Sequence, residues 1–359
     1  MIVDGHNHLR REQDLAVFRQ VAARVPLEGF NVLAEAGPAH ADGLALGFIA
    51  KHREPGLAYC FGCLDHTALF SRGAAAAPAL AAQVRTLAAI GMDGLKLIES
   101  KPDTRKSMGE PLDGSYYAEA FAALEALDLP VLWHVADPPE FWDPARTPAW
   151  ARQRGWGYDT TFPSFETLHA EAGRVLDRHP RLRVIFAHFM FLSHDLDRAA
   201  RFLADHPRVS LDLAPGIELF YNLSRDRERS RAFFMRHADR ILFGTDAGLI
   251  AGDAAVRVEA RIRLVWRFLE TGDDYRVPPE ADFLLGPPED GVIRGLALPK
   301  DVLRRIGSGN FRALAGARPR PLDRRAAAAE CRRLAVASRA AGGSPATWQV
   351  AVDAAAELA

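Results

Sequence analysis

Short apolar runs rich in β-branched residues recur along the chain, and each is followed by a segment long enough for a helix. Eight such runs start 26 to 52 residues apart, at 2–6, 30–35, 57–64, 94–99, 130–135, 182–188, 208–213 and 240–245. Helical patterning fills the segments between them, as at 79–90, 117–127, 165–178 and 196–205. Strands that alternate with helices predict a parallel sheet of the α/β class, and eight units predict a (β/α)₈ TIM barrel.

A doubly wound open sheet is the alternative arrangement of alternating strands and helices. The loop after the first run lacks the Gly-x-Gly-x-x-Gly cradle of dinucleotide-binding sheets, which favours the barrel. We assign the barrel to residues 1–316. Residues 317–359 read as two alanine-rich helices split by Gly342-Gly343-Ser344-Pro345. We expect this C-terminal helical extension to pack on the barrel exterior, a subunit contact in a homo-oligomer being the alternative.

The connection after the fifth run, residues 136–165, is long and rich in aromatic residues. Together with Trp133 it places four of the six tryptophans within 24 residues. Such a segment leaves the C-terminal end of a barrel strand, where active sites lie. We therefore expect it to form a lid or wall of a substrate site, and an excursion packed by its own aromatic residues is the alternative.

Composition and charge narrow the class of protein. Hydrophobic residues make up 48% and charged residues 25%, an ordinary globular balance. With Lys+Arg at 45 and Asp+Glu at 46, no basic excess is present to bind nucleic acid. The chain has no apolar run of the roughly 18 residues that a membrane span needs. Three cysteines cannot form a disulfide framework, and we expect no cleavable leader, so we predict a cytoplasmic protein.

Titratable residues stand at the ends of several of the apolar runs. His6 and His8 end the first run two residues apart, so an extended chain points both imidazoles to the same side. His134 and His188 fall at the ends of the fifth and sixth runs, and Asp246 follows the eighth. The C-terminal ends of barrel strands face one mouth. Histidines and a carboxylate that converge there are a ligand set for a divalent metal ion.

Lys96 lies inside the fourth run, between Leu95 and Leu97, so strand alternation directs its side chain into the barrel. A charged lysine is almost never buried without a partner. Three states are open: an ion pair with a carboxylate such as Glu99 or Asp246, a neutral amine, or a carbamate that bridges two cations.

The ordered set of these residues resembles the amidohydrolase superfamily, in particular its amidohydrolase-related (family 2) group. Flanking phrases are similar as well: Pro-Val-Leu-Trp-His-Val-Ala-Asp-Pro at 130–138, Ile-Phe-Ala-His at 185–188, Leu-Phe-Gly-Thr-Asp at 242–246 and Gly-Asn-Phe-Arg-Ala-Leu-Ala-Gly at 309–316. The resemblance implies a divalent metal, usually zinc, held by His6, His8, His134 and Asp246. It also implies a second metal or a catalytic role at His188, and it aligns Lys96 with the lysine that is carbamylated in two-metal members.

The resemblance implies a metal-dependent hydrolase that acts on an amide, lactam, lactone or ester of a small molecule. In that reaction Asp246 takes the proton of a metal-activated water, and His188 polarises the carbonyl or protonates the leaving group. The alternative is a non-oxidative decarboxylase of an aromatic or enoic acid, because the same relatives include such enzymes. A metal binder without activity is disfavoured by the intact ligand set. Further residues that end or follow strands could reach the substrate: Glu35, Asp65, His66, Glu99 and Asp137.

Overall fold

The computed structural model describes residues 1–35, 42–67, 69, 73–247, 254–282, 285 and 291–359. Within them, eight parallel strands form one sheet whose order follows the sequence. The strands are β1 Ile2–Asn7, β2 Leu27–Leu33, β3 Ala58–Gly62, β4 Gly94–Ser100, β5 Val131–Val135, β6 Val184–Phe186, β7 Val209–Asp212 and β8 Ile241–Leu242. Each lies in one of the eight apolar runs or overlaps it, so the prediction of a (β/α)₈ barrel is confirmed.

The sheet closes through the segment that follows β8. The amide of Gly5 donates to the carbonyl of Phe243 at 3.0 Å, and the amide of Asp246 donates to the carbonyl of His6 at 2.8 Å. These bonds join the last strand to the first and leave a nearly closed barrel. They also tie Asp246 directly to the backbone of β1.

Helices fill the connections between the strands. They are α1 Asp14–Ala22, α2 Asp42–Arg53, α3 Ala77–Ile90, α4 Pro102–Met108, α5 Ser115–Ala126, α6 Ala149–Gln153, α7 Phe165–Arg178, α8 Leu196–Asp205, α9 Leu219–Arg225, α10 Arg227–Arg236, α11 Ala254–Glu270, α12 Lys300–Arg304 and α13 Asn310–Ala315. Helix α8 illustrates why these segments form helices. Asp195 caps it by accepting from the amide of Arg198, and Leu196, Ala199 and Leu203 recur on its buried face.

An apolar plug fills the barrel beneath its polar mouth. The ring of Phe311, from α13, lies 5.0 Å from the ring of Tyr59 and 6.0 Å from that of Phe61, measured between centroids. Val3 and Leu132 belong to the same buried cluster. Each such side chain stabilises the fold by about 1.5–3 kcal/mol when fully buried. The titratable residues predicted from the sequence lie at the other end of the barrel.

The C-terminal segment forms two helices, α14 Arg324–Ala340 and α15 Pro345–Leu358, which pack on each other and against α2. Arg53 of α2 donates to both carboxylate oxygens of Glu357, at 2.7 and 2.6 Å. The two helices therefore contact α2 of the barrel. The standing of this C-terminal segment as a unit separate from residues 1–316 stays a prediction. No helix in the described part of the chain is both long and apolar enough to span a membrane.

Candidate metal centre

The six residues predicted from the sequence meet at the C-terminal mouth of the barrel. All are buried, with between 1% and 8% of each residue exposed, and all line one cavity: His6, His8, Lys96, His134, His188 and Asp246. They lie on or directly after five different strands. The parallel order of the sheet predicts that such residues meet at one end of the barrel.

Three of these residues form a tight group of possible ligands. His6, His188 and Asp246 each bring one ligand atom to within 4.8 Å of the others. The Oδ1 atom of Asp246 lies 3.8 Å from Nε2 of His6 and 3.4 Å from Nε2 of His8. That oxygen is buried, and it has no hydrogen-bond partner among the described residues. A buried carboxylate oxygen facing imidazole nitrogens in this way is an arrangement that a cation completes.

The other nitrogen of each imidazole is already engaged. Nδ1 of His6 lies 2.7 Å from Oδ2 of Asp212, and Nδ1 of His8 lies 3.1 Å from the carbonyl oxygen of Leu33. Nδ1 of His188 lies 3.0 Å from the carbonyl oxygen of Ala214. Such contacts fix the proton on Nδ1 and leave the Nε2 lone pair for a metal.

Burial lowers the pKa of His6, His8 and His188, and the positive charge of nearby Lys96 adds to this effect. The imidazoles are therefore held neutral, which is the state that binds metal. The donor set, its orientation and the unpartnered Asp246 oxygen all fit a divalent ion.

The backbone at two of these positions is strained. His188 begins a buried left-handed turn in which four successive residues have φ between 52° and 58°, and Asp246 has φ 53°. Each such conformation costs about 1–3 kcal/mol in a residue other than glycine. The Oδ1 atom of Asp212 helps to hold the turn, because it accepts from the amides of His188 at 2.8 Å and Ala214 at 3.0 Å. Asp212 thus positions two candidate ligands at once.

His134 lies at the edge of the group. Its ring centroid is 4.9 Å from that of His188, but its Nε2 is 3.2 Å from Oδ1 of Asp137. Asp137 also accepts from Nζ of Lys101 at 2.7 Å and from the hydroxyl of Tyr158. Burial works to raise the pKa of Asp137, but Lys101 and His134 outweigh it and hold that pKa below its usual range.

Lys96 is almost fully buried, with 2% of the residue exposed. Its Nζ has no hydrogen-bond partner in the described part of the chain. An ion pair with Glu99 is therefore not found. Glu99 instead lies 2.7 Å from Nε2 of His66 and accepts from the amide of Ile98 at 2.7 Å. Burial lowers the pKa of Lys96, opposed by Glu35 and by the carboxylates around it.

Aromatic residues of the 136–165 segment lie at the cavity. The cavity has a volume of about 180 Å³, far more than one water needs, and Phe141, Trp150 and Trp156 of the 136–165 segment line it. Trp142 instead packs on the ring of Tyr158, with centroids 4.8 Å apart. The segment thus lines one side of the cavity while its aromatic residues also pack on one another, and its role at a substrate site stays a prediction.

Two cations that the sequence did not single out also line the cavity. They are Lys101, described above, and Arg10, whose Nη2 donates to Oε2 of Glu35 at 3.2 Å. His8, Lys96 and Arg10 together outweigh burial and hold the pKa of Glu35 at about 2. Both cations lie on loops, where no periodicity marks them.

The remaining acidic candidates divide into two groups. Glu35 and Asp137 line the cavity. Asp65 is directed away from it and pairs with Arg333 of α14 at 2.8 Å, and His66 and Glu99 form a buried pair that does not line the cavity. The strand-end position alone therefore does not bring a side chain into the site.

Comparison with known proteins places this site in a family. A family model described as amidohydrolase matches residues 3–317. The comparison with curated proteins gives no match. Three similar solved structures are an uncharacterised TIM-barrel protein from Bordetella bronchiseptica (TM-score 0.54, 14% identity), 4-oxalomesaconate hydratase from Rhodopseudomonas palustris (0.53, 13%) and 2,6-dihydroxybenzoate decarboxylase from Rhizobium (0.50, 14%). Each alignment covers 88% of this chain, and 99%, 95% and 98% of the respective relative.

Identities this low establish the shared fold alone. The family match is stronger, because it spans nearly the whole barrel and includes every residue of the candidate centre. Members of the family are enzymes that bind a divalent metal. The chain belongs to the amidohydrolase family.

Proposed function

We propose that the chain is a metal-dependent hydrolase whose centre lies at the barrel mouth. The observation that carries this proposal is the unpartnered Oδ1 of Asp246, which faces Nε2 of His6 and His8 at 3.8 and 3.4 Å. Imidazole nitrogens with one carboxylate oxygen suit zinc, which is the ion we propose. A bound ion would supply Lewis acidity, polarising a substrate carbonyl and lowering the pKa of a water molecule.

The ligands would be His6, His8 and Asp246, and His188 would lie beside the ion with its Nε2 left for proton transfer. His134 stands at the edge of this set, and ligation by it requires that its 3.2 Å contact with Asp137 opens. One ion is the simplest occupant, because the ligand atoms that converge belong to a single group. Lys96 would add a ligand only as a carbamate.

Asp246 and His188 would move the proton. Asp246 would bind the ion through Oδ1 and accept the proton of an attacking water on its other carboxylate oxygen. His188 presents Nε2 to the same space, because its Nδ1 contacts the carbonyl of Ala214. Either group, once protonated, can deliver the proton to the leaving atom, so that an amide, lactam, lactone or ester is cleaved.

A non-oxidative decarboxylase is the second candidate. The observation that favours it is Lys96, a cation in the cavity lining whose Nζ has no hydrogen-bond partner among the described residues, which suits an acidic substrate. The fold is also shared with a 2,6-dihydroxybenzoate decarboxylase. In this reaction Asp246 would have no water to deprotonate, and a protonated group would instead deliver a proton to the carbon that loses CO₂.

Product analysis distinguishes the two reactions. Zinc-loaded protein is incubated with a panel of small amides, lactams, lactones, esters and aromatic or enoic acids, and the products are identified by mass spectrometry and CO₂ release. Uptake of one water per turnover, lost in Asp246→Asn and retained in the surface variant Asp205→Asn, supports the hydrolase. Release of CO₂ without water uptake overturns it in favour of the decarboxylase.

A further inference from the structure

Lys96 is a buried cation that the fold leaves without a partner. It lines the cavity, 2% of the residue is exposed, and its Nζ makes no hydrogen bond with the described residues. A buried charge without a partner is energetically unfavourable. A lysine kept in this state at a cavity wall is therefore expected to pair with a group of a bound ligand.

Of the four carboxylates around Lys96, all but Asp246 are engaged elsewhere. Glu35 accepts from Nη2 of Arg10 at 3.2 Å. Asp212 contacts Nδ1 of His6 and accepts two backbone amides, as described above. Glu99 is held by its 2.7 Å contact with His66. An ion pair of Lys96 with Glu35, Asp212 or Glu99 would therefore break an existing contact.

The charges of the cavity lead to the same conclusion. Three acidic and three basic residues line it: Glu35, Asp137, Asp246, Arg10, Lys96 and Lys101. Arg10 pairs with Glu35 and Lys101 pairs with Asp137, which leaves Asp246 and Lys96. Asp246 is the carboxylate that a divalent ion would take. The loaded site then carries excess positive charge, with Lys96 as its uncompensated protein group.

We propose that Lys96 is a specificity-determining residue whose ammonium binds an anionic group of the substrate, a carboxylate or its equivalent. This proposal rests on the proposed function, whether hydrolase or decarboxylase, because Lys96 would hold the acid group of the substrate beside the reacting carbon. An anion there would both accept hydrogen bonds from Nζ and screen it from the ion. The apolar part of the molecule would lie against Trp150 and Trp156. The expected substrates are therefore small organic acids.

Tryptophan fluorescence tests this without knowledge of the substrate, because Trp150 and Trp156 line the cavity. The probes are benzoate and benzamide, which share a shape and differ in charge. Each is titrated into the full-length zinc-loaded protein and into metal-free protein. Wild type is compared with Lys96→Met and with the exposed control Lys300→Met. A charge-assisted hydrogen bond predicts that wild type prefers benzoate by about tenfold or more and that Lys96→Met loses this preference.

Two results would overturn the proposal. One is a benzoate preference that Lys96→Met retains to within about twofold, or that wild type lacks altogether. The other is a carbamate carbon signal in ¹³C NMR with labelled bicarbonate that disappears in Lys96→Met, because Lys96 would then be an anion. If Lys96→Met fails to fold by circular dichroism, Lys96→Gln takes its place. Absence of zinc binding would contradict the proposed function. The titration of metal-free protein would still test whether Lys96 binds the benzoate carboxylate.

Discussion

Oδ2 of Asp212 lies 2.7 Å from Nδ1 of His6, while the other oxygen of the same carboxylate accepts from the amide of His188. One side chain at the end of β7 thus orients a candidate ligand from β1 and fixes the backbone of another beyond β6. Burial raises the pKa of Asp212, opposed by His188 and by its backbone bonds. The carboxylate is therefore part of the support on which metal binding depends.

Asp212→Asn is expected to weaken zinc binding about 10- to 100-fold, the usual cost of removing a group that orients a metal-bound histidine. The amide can satisfy either His6 or the His188 turn, but it cannot accept at both ends. Competition with a chromophoric chelator measures the affinity. Asp205→Asn, an exposed change at the end of α8, is the matched control. Equal affinity in Asp212→Asn and wild type would show that Asp212 does not support the centre.

Zinc is expected to stabilise the folded protein, because the converging ligands exist only in the folded state. At a free ion concentration 100 times Kd, the gain in the free energy of unfolding is about 2.7 kcal/mol. Thermal unfolding followed with and without EDTA should show a higher Tm in zinc. A His6→Ala, His8→Ala double variant should lose the difference. The idea fails if zinc shifts the Tm of both proteins equally.

Trp156→Ala is expected to weaken ligand binding at the aromatic wall. Its ring lines the cavity and lies 4.9 Å from Nζ of Lys101, so the change removes a stacking surface and one cation–π contact of that lysine. Loss of about 1 kcal/mol of aromatic contact corresponds to roughly fivefold in Kd for benzoate. Isothermal titration calorimetry measures it. Trp348→Ala, on the C-terminal helix α15, should leave Kd unchanged; equal effects from both variants would place the ligand elsewhere.

We expect Glu218 to make the free energy of unfolding depend on pH. Both of its carboxyl oxygens are buried and without a hydrogen-bond partner among the described residues, and burial, with Glu140 and Asp137, raises its pKa to about 8. Between its ordinary pKa and about 8 the folded state binds a proton that the unfolded state has released. The free energy of unfolding therefore falls as pH rises through this range, by up to about 1.4 kcal/mol per pH unit.

Glu218→Gln removes that proton, so its stability should vary less between pH 5 and pH 8 than that of wild type. Urea unfolding at the two pH values measures the difference. The exposed Glu280→Gln is the control, and its free energy of unfolding should change between the two pH values as much as that of wild type. If the free energy of unfolding of Glu218→Gln changes with pH as much as that of wild type, Glu218 is not protonated in the folded protein.

The barrel and the meeting of its ligands follow from the sequence because both depend on strand periodicity. The apolar runs locate the strands, and parallel order brings His6, His188 and Asp246 to one mouth. Asp212 is not among the residues predicted from the sequence, although it is the last residue of β7. Its Leu-Asp-Leu-Ala context is the signal that would have found it.

What the sequence did not reveal depends on side-chain rotation and on loops. Strand alternation predicts that the side chains of Lys96 and His134 point into the barrel. It does not predict the direction in which Nζ of Lys96 or Nε2 of His134 points. The pairing of Glu99 with His66 rather than with Lys96 depends on the loop that follows β3, which carries His66. Arg10 enters the cavity from a loop, where no repeating pattern marks it.

The most direct test of the central claim is anomalous diffraction at the zinc edge from crystals of the zinc-loaded protein. The account predicts an anomalous peak about 2.0–2.2 Å from Nε2 of His6 and from a carboxylate oxygen of Asp246. Crystals of Asp246→Asn should show a much weaker peak. No peak at the mouth of the wild-type barrel, or an undiminished one in Asp246→Asn, would contradict it.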